Sequence, residues 1–317
     1  MKLVFPAIAA LFAALGVAQP ARAADEPIRV VATIGMIADV ARNVGGEHIA
    51  VESIIGQGVD PHLFKPTRAD VVKMLDADII FYNGLLLEGK MTDALIRAAR
   101  KKPVVPVTEE LDETDLLEPP EFAGHFDPHV WMDPAKWALT TDVIAEELAA
   151  FDPDNASAYR DAAEAYKDEL HTLDAYAREV LASVPPESRV LVTAHDAFNY
   201  LARSYGFQVL GIQGISTESE AGVRDIERIV DILVDQNVKA VFVETTVSDR
   251  NIKALIEGAA ARGHKVVIGG SLYSDAMGAP GTYEGTYIGM IDHNVTTIAR
   301  ALGGDAPEHG LRGESGD

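Results

Sequence analysis

Two histidines stand directly behind the same dipeptide. The stretch "GVDPHLFKPT" (58–67) carries Asp60-Pro61-His62, and "HFDPHVWMDP" (125–134) carries Asp127-Pro128-His129. Proline fixes its own φ and presses the preceding residue into an extended conformation, so each imidazole hangs from chain with little freedom. A third histidine, His195, directly follows the β-branched run "RVLVTA" (189–194). In open α/β sheets ligands gather beyond the carboxyl ends of strands, which is where His62 and His195 fall. Imidazoles held still in a cleft suit metal coordination. Each would give one ring nitrogen to the ion while the other needs an acceptor, for which Asp60, Asp127 or a backbone carbonyl would serve.

A fourth ligand is sought beyond a later strand. Asp275, in "VVIGGSLYSDAMGAPGTYEG" (266–285), lies in the loop after a strand expected at 265–270. Its other reading is a helix N-cap, where aspartate is common. Glu244, which ends a strand expected at 238–244, is the competing carboxylate. Three imidazoles and one carboxylate suit Zn2+ in a four-coordinate site, and also Mn2+ or iron(II) if the carboxylate binds through both oxygens. His48, His171, His264, His293 and His309 sit among polar or glycine-bearing segments and are expected to be bystanders.

These residues need a frame that brings them together. Short β-branched runs at 28–34, 49–55, 78–83 and 103–107 alternate with helical spacing at 36–46, 68–77 and 91–101. This rhythm predicts a mostly parallel sheet with helices on both faces. An acidic, proline-bearing loop (111–134) interrupts it. Two helical stretches follow, at 134–152 and 153–184; the second keeps its periodicity with no interior glycine or proline and stops at "PPES" (185–188). The βα rhythm then resumes through strands at 189–194, 207–212, 238–244 and 265–270 and ends in a helix within 282–304. The expected class is therefore α/β: two Rossmann-like βα lobes with parallel sheets, joined by one long backbone helix. The expected division is 24–152, 153–184 and 185–317. The polar tail from 305 onward is expected to fray.

Composition narrows the function. The chain has 317 residues, 48% of them hydrophobic, which is enough for two domains. It contains no cysteine, which excludes disulfides, thiolate metal sites, cysteine nucleophiles and a lipid on an N-terminal cysteine. Residues 1–23 read as a signal peptide: Lys2, an apolar run at 4–17, and the cleavage pattern Ala21-Arg22-Ala23. A soluble, monomeric protein of the periplasm is expected, with no membrane anchor. The formal charge of −22 becomes −24 without Lys2 and Arg22 of that leader. Such acidity is foremost a solubility device, and it speaks against nucleic acid, whose phosphates need a basic footprint.

Taken together, "GVDPHLFKPT", "FDPHVWMDP", "TAHDAFNYLARSYGF", "STESEAGVRDIERIVD" and "SLYSDAMG" resemble the cluster-9 zinc/manganese solute-binding proteins of bacterial metal ABC transporters. The resemblance runs from the first strand to the last helix. It implies one metal between the lobes, held by His62 and His129 from the first and by His195 and Asp275 from the second. It returns Glu244 to a structural role. It also implies a non-enzymatic receptor whose partner is a membrane permease. His195 stands where manganese- and iron-leaning relatives often carry glutamate, which tilts the choice toward zinc. Many zinc relatives carry a long His-rich loop before the second ligand. Here the loop 111–126 is short, with His125 its one histidine. The readings to weigh against a zinc receptor are a manganese or iron(II) receptor, a zinc-dependent hydrolase with an open coordination position, and a scaffold with a structural metal.

Overall fold

The computed structural model describes residues 26–312, so the expected leader at 1–23 and the last residues of the tail lie outside it. The chain begins with β1 (Ile28–Ala32), α1 (Gly35–Gly45), β2 (Ile49–Ser53), α2 (Arg68–Asp76), β3 (Ile79–Tyr82), α3 (Thr92–Ala99) and β4 (Val104–Pro106). The strands form one parallel sheet in the order β2-β1-β3-β4. β1 and β3 are almost wholly buried, as β-branched strands covered on both faces must be. Thr67 caps α2 reciprocally with Asp70, which fixes the end of the loop that carries His62.

Two packed helices follow, α4 (Pro134–Trp137) and α5 (Leu139–Phe151), where the periodicity predicts one. The Thr140 and Thr141 hydroxyls donate to the carbonyls of Trp137 and Ala138, both at 2.7 Å, and draw those carbonyls into local bonds at the joint. Next comes α6 (Ala156–Ala182), 27 residues long, or about 40 Å at 1.5 Å per residue. Pro153 puts the preceding turn into a 3-10 form. The buried residues of α6, among them Tyr159, Ala163, Tyr166, Leu170 and Leu173, recur every three or four positions. That spacing gives the helix one continuous apolar stripe.

The second lobe comprises β5 (Val190–His195), α7 (Asn199–Tyr205), β6 (Gln208–Gln213), α8 (Val223–Asp235), β7 (Ala240–Glu244), α9 (Arg250–Ala261), β8 (Val267–Leu272) and α10 (Tyr287–Ala301). Its strands pair in parallel as β5-β6 and β7-β8, and β5 lies beside β7. The resulting order, β6-β5-β7-β8, repeats that of the first lobe. Among the described residues no helix is long and apolar enough to cross a membrane.

One apolar core runs from the first sheet through α6 and α10 into the second lobe, where it takes in Leu191, Phe198, Phe242 and Leu272. A smaller core lies under α8 and α9. At the centre of the shared core, the buried Asp39 of α1 accepts from the Tyr166 hydroxyl of α6 (2.8 Å) and from the Tyr287 N–H that opens α10 (3.1 Å). The described part of the tail is tied to α10 and the turn before it. The Leu311 N–H donates to the buried Asp292 carboxylate of α10, and the Arg312 guanidinium lies 3.8 Å from the centre of the Tyr283 ring. A buried carboxylate needs donors, and the tail supplies one.

Candidate metal centre

The two Asp-Pro-His triplets form the same turn. In each, the aspartate carboxylate accepts the histidine N–H two residues on: Asp60 from His62 at 2.8 Å and Asp127 from His129 at 2.9 Å. The first triplet extends from β2 through a turn whose Gly58 has φ +68°, a conformation that side chains disfavour. The second leads into a 3-10 turn at Val130–Met132. His195 is the last residue of β5, and Asp275 lies in the loop that leaves β8. Gly211 of β6 is required beside His195, because a Cβ there would lie 2.6 Å from the backbone of Asp196.

The structure brings His62, His129, His195 and Asp275 together, each offering one ligand atom within 4.8 Å of all the others. All four are buried. The Nε2 atoms of His62 and His129 are 3.3 Å apart. Asp275 Oδ1 lies 3.4 Å from His129 Nε2, and its Oδ2 lies 3.2 Å from His195 Nε2 and 3.7 Å from His62 Nε2. A tetrahedral ion with bonds of about 2.0–2.2 Å separates its ligand atoms by about 3.3–3.6 Å, and these contacts, 3.2–3.7 Å, lie close to the edges of such a shell. The His195–Asp275 approach lacks hydrogen-bond geometry: His195 Nε2 and both Asp275 oxygens are buried without a hydrogen-bond partner. A buried carboxylate without hydrogen bonds is costly, and a cation at the centre of the four groups removes that cost.

The outer ring nitrogens are held as metal-binding histidines require. Asp127 accepts from His129 Nδ1 at 2.7 Å. Asp127 is in turn fixed from α7, by Asn199 Nδ2 on its carboxylate (3.1 Å) and by the Tyr200 hydroxyl on its carbonyl (2.9 Å). Glu244 accepts from both the backbone N–H of His195 (2.8 Å) and its Nδ1. Sequence reasoning names Asp127 as a possible acceptor; it weighs Glu244 first as a rival ligand and then, from the family resemblance, as structural, without naming its contact with His195. The signal for its orienting role is the adjacency of β5 and β7, whose carboxyl ends place the two side chains together. The N-cap reading of Asp275 fails, since Thr286 caps α10 by accepting from Gly289 N–H at 3.0 Å.

Burial also polarises the group. It pushes His62 down to about 3, despite the opposing pull of Asp275. For His129 burial acts downward too, but Asp127 and Asp275 outweigh it and bring the ring up to about 9. His195 is likewise raised, by Asp275 and Glu244 against burial. Asp275 is held well below the usual carboxylate range, because His195 and His129 outweigh its desolvation. Away from the centre, His264 Nε2 meets the Val238 carbonyl (2.6 Å), His293 Nε2 meets the Ser271 carbonyl (2.9 Å), and His48 packs edge-on against Tyr159.

Residues 30–301 match the family described as zinc-uptake complex component A, periplasmic. The chain is 47% identical over 281 residues to the manganese-binding lipoprotein MntA of Bacillus subtilis, covering 89% of this chain and 92% of that protein. It is 43% identical over 280 residues to the zinc-binding protein TroA of Treponema pallidum, covering 88% and 90%. The solved structure of that periplasmic zinc-binding protein superposes with a TM-score of 0.85 at 42% identity, over 87% of this chain and 99% of the other. The iron-binding protein YfeA of Yersinia pestis is 34% identical over 275 residues, covering 87% and 86%.

Proposed function

The chain belongs to the family of periplasmic zinc-uptake complex components A, and from that premise we propose that it captures a divalent metal ion, zinc in preference to manganese, outside the cytoplasmic membrane and hands it to the permease of an ABC importer. The family consists of solute-binding proteins of such importers, not enzymes. The proposed ligands are His62 and His129 from the first lobe and His195 and Asp275 from the second. One observation carries this reading: four buried donors stand at the spacing of a coordination shell, and the carboxylate among them has no hydrogen-bond partner. The ion is cargo, so the chemistry is coordination alone. Donors from both lobes close on the ion, Asp127 and Glu244 hold two of the rings in the binding tautomer, and burial excludes water. A fourth protein donor occupies the position that a hydrolytic zinc site keeps open for water, which argues against the hydrolase reading.

Zinc is favoured on donor type. Three imidazole nitrogens suit it better than manganese, and the general affinity order of divalent ions points the same way. A manganese receptor is the second reading. Both Asp275 oxygens face the histidines, which permits binding through both and a higher coordination number, and a manganese-binding relative is 47% identical. Competitive titration at equal free metal is expected to favour zinc strongly, and His195→Glu to shift preference toward manganese. Equal affinity of the unsubstituted protein for the two ions would overturn the zinc preference and leave the receptor reading intact.

Binding should also compete with protons. In the metal-free protein His129 holds its proton up to about pH 9, and His195 is raised as well, so each loses a proton when Nε2 takes the ion. His62, lowered to about 3, has none to lose at neutral pH. Affinity is therefore expected to fall as pH falls from 8 to 6, about tenfold per unit for each proton displaced. Calorimetry in buffers of different ionisation heat should detect the released protons. A pH-independent affinity would contradict this account.

A further inference from the structure

Two of the four converging side chains, His129 and His195, are gripped directly, and the loop that carries the third, Asp275, is pinned beside it. His129 is held through its N–H and its ring by Asp127, which α7 fixes from the other lobe. His195 belongs to a buried strand and is held twice by Glu244. The Asp275 loop is pinned at its neighbour: the Trp131 indole donates to the Ser274 carbonyl at 2.8 Å, and the Ser274 hydroxyl meets that of Thr246 at 3.0 Å. Trp131 also packs against the His129 ring. These contacts sew His129, His195 and Asp275 into one block across the lobes.

His62 is held differently. It rides on the 54–67 loop, where its neighbours Val59 and Leu63 are exposed, and its distance to Asp275 is the longest of the four recorded between the centre's donor atoms. The turn that aims it depends on Asp60, whose Oδ1 takes the His62 N–H. The second oxygen of the same carboxylate reaches over to the other lobe and accepts from the hydroxyl of Thr217 at 2.5 Å. Thr217 is buried, in the segment between β6 and α8. The next residue, Glu218, also reaches the first lobe, at Lys90 (3.0 Å), but that pair is solvent-accessible and adds little. The half-buried bond from the Thr217 hydroxyl to the Asp60 carboxylate is the stronger tie.

From this asymmetry we infer that Thr217 is a positioning residue for the centre: through Asp60 it keeps His62 on the ion, and breaking that tie is the step by which the ion is released. The inference rests on the metal-receptor reading and adds a residue outside the ligand set. It also defines a direction. The block of three stays assembled while the His62 arm opens, so the ion leaves past the 54–67 loop and the lobes keep their shared core.

The experiment is stopped-flow transfer of zinc from the loaded protein to excess chelator. Thr217→Val keeps the shape and removes the hydroxyl; it should speed release at least about tenfold, the usual weight of a hydrogen bond to a charged group. Thr217→Ala should do the same, and Thr217→Ser, which keeps the donor, should restore slow release. A His62→Ala background supplies the readout that a purely structural role would not give. There, Thr217→Val should add no further acceleration, because the arm it controls has lost its donor. Release of Thr217→Val and Thr217→Ala at the unsubstituted rate, or equal acceleration in the His62→Ala background, overturns the inference. If the unsubstituted protein takes up neither zinc nor manganese, the receptor reading itself fails, and that result precedes any substitution.

Discussion

Asp275→Ala is expected to weaken zinc binding by about two to three orders of magnitude while leaving the fold in place. Four-ligand zinc sites bind with about 10–16 kcal/mol, or roughly 2.5–4 kcal/mol per ligand when shared equally, and each 1.4 kcal/mol is tenfold. Asp275 should lie at the upper end of that range. It is the one anionic donor of the set, and both its oxygens are buried without a hydrogen-bond partner. The substitution also leaves the raised His129 and His195 without the carboxylate they share, so the metal-free centre should lose protons more readily. Chelator competition measures the first effect, and circular dichroism checks the fold. An affinity within about threefold of the unsubstituted protein would remove Asp275 from the ligand set; the outer-shell groups alone usually matter more than that.

Metal removal should produce the second large effect, a fall in melting temperature without unfolding. A ligand present at a thousand times its dissociation constant stabilises the folded state by about 4.1 kcal/mol. At about 2–4 °C per kcal/mol for a chain of this size class, chelation should lower the melting temperature by roughly 8–16 °C. The metal-free protein should stay folded at room temperature, because its two apolar cores do not depend on the ion. It should then rebind zinc and recover the higher melting temperature. Calorimetric scans with zinc, with chelator and after zinc is restored would test this. Loss of structure on chelation would instead favour a structural metal, the behaviour of small zinc domains whose cores are too small to hold alone.

The continuous core bears on how the ion moves. A receptor that closes on its ligand by bending flexible strands needs lobes that part cleanly. Here α6 and α10 pack against both lobes, and Asp39 ties α1, α6 and α10 together at one buried carboxylate. Parting the lobes would expose that core, whereas moving the turn at 56–63, none of whose residues belongs to the core, would leave it covered. A local opening at His62 follows from the relative cost of the two motions.

Much of this was legible in the amino-acid order because it is encoded locally. β-branched runs and three-to-four spacing specify the alternating strands and helices, and the Pro-Pro after α6 stops it. The proline of each Asp-Pro-His triplet limits the chain around its imidazole, but the cap from aspartate to histidine N–H is seen only in the structure, where Asp127 also takes its histidine's ring nitrogen and Asp60 turns to Thr217. Strand ends marked His62 and His195 as candidates. What stayed open was open for a physical reason. Asp275 and Glu244 both end or follow a strand, and nothing local distinguishes them. Only the placement of β7 beside β5 turns Glu244 toward the outer nitrogen of His195, and only the path of the chain after β8 turns Asp275 inward. The tie between Asp60 and Thr217 was equally invisible, since it joins two loops of different lobes. Local chemistry determined which side chains were held still. The packing of two lobes onto one helix decided which of them meet, because contacts between positions as distant as 62 and 275 come from burial of the shared core and not from any signal in the residues between.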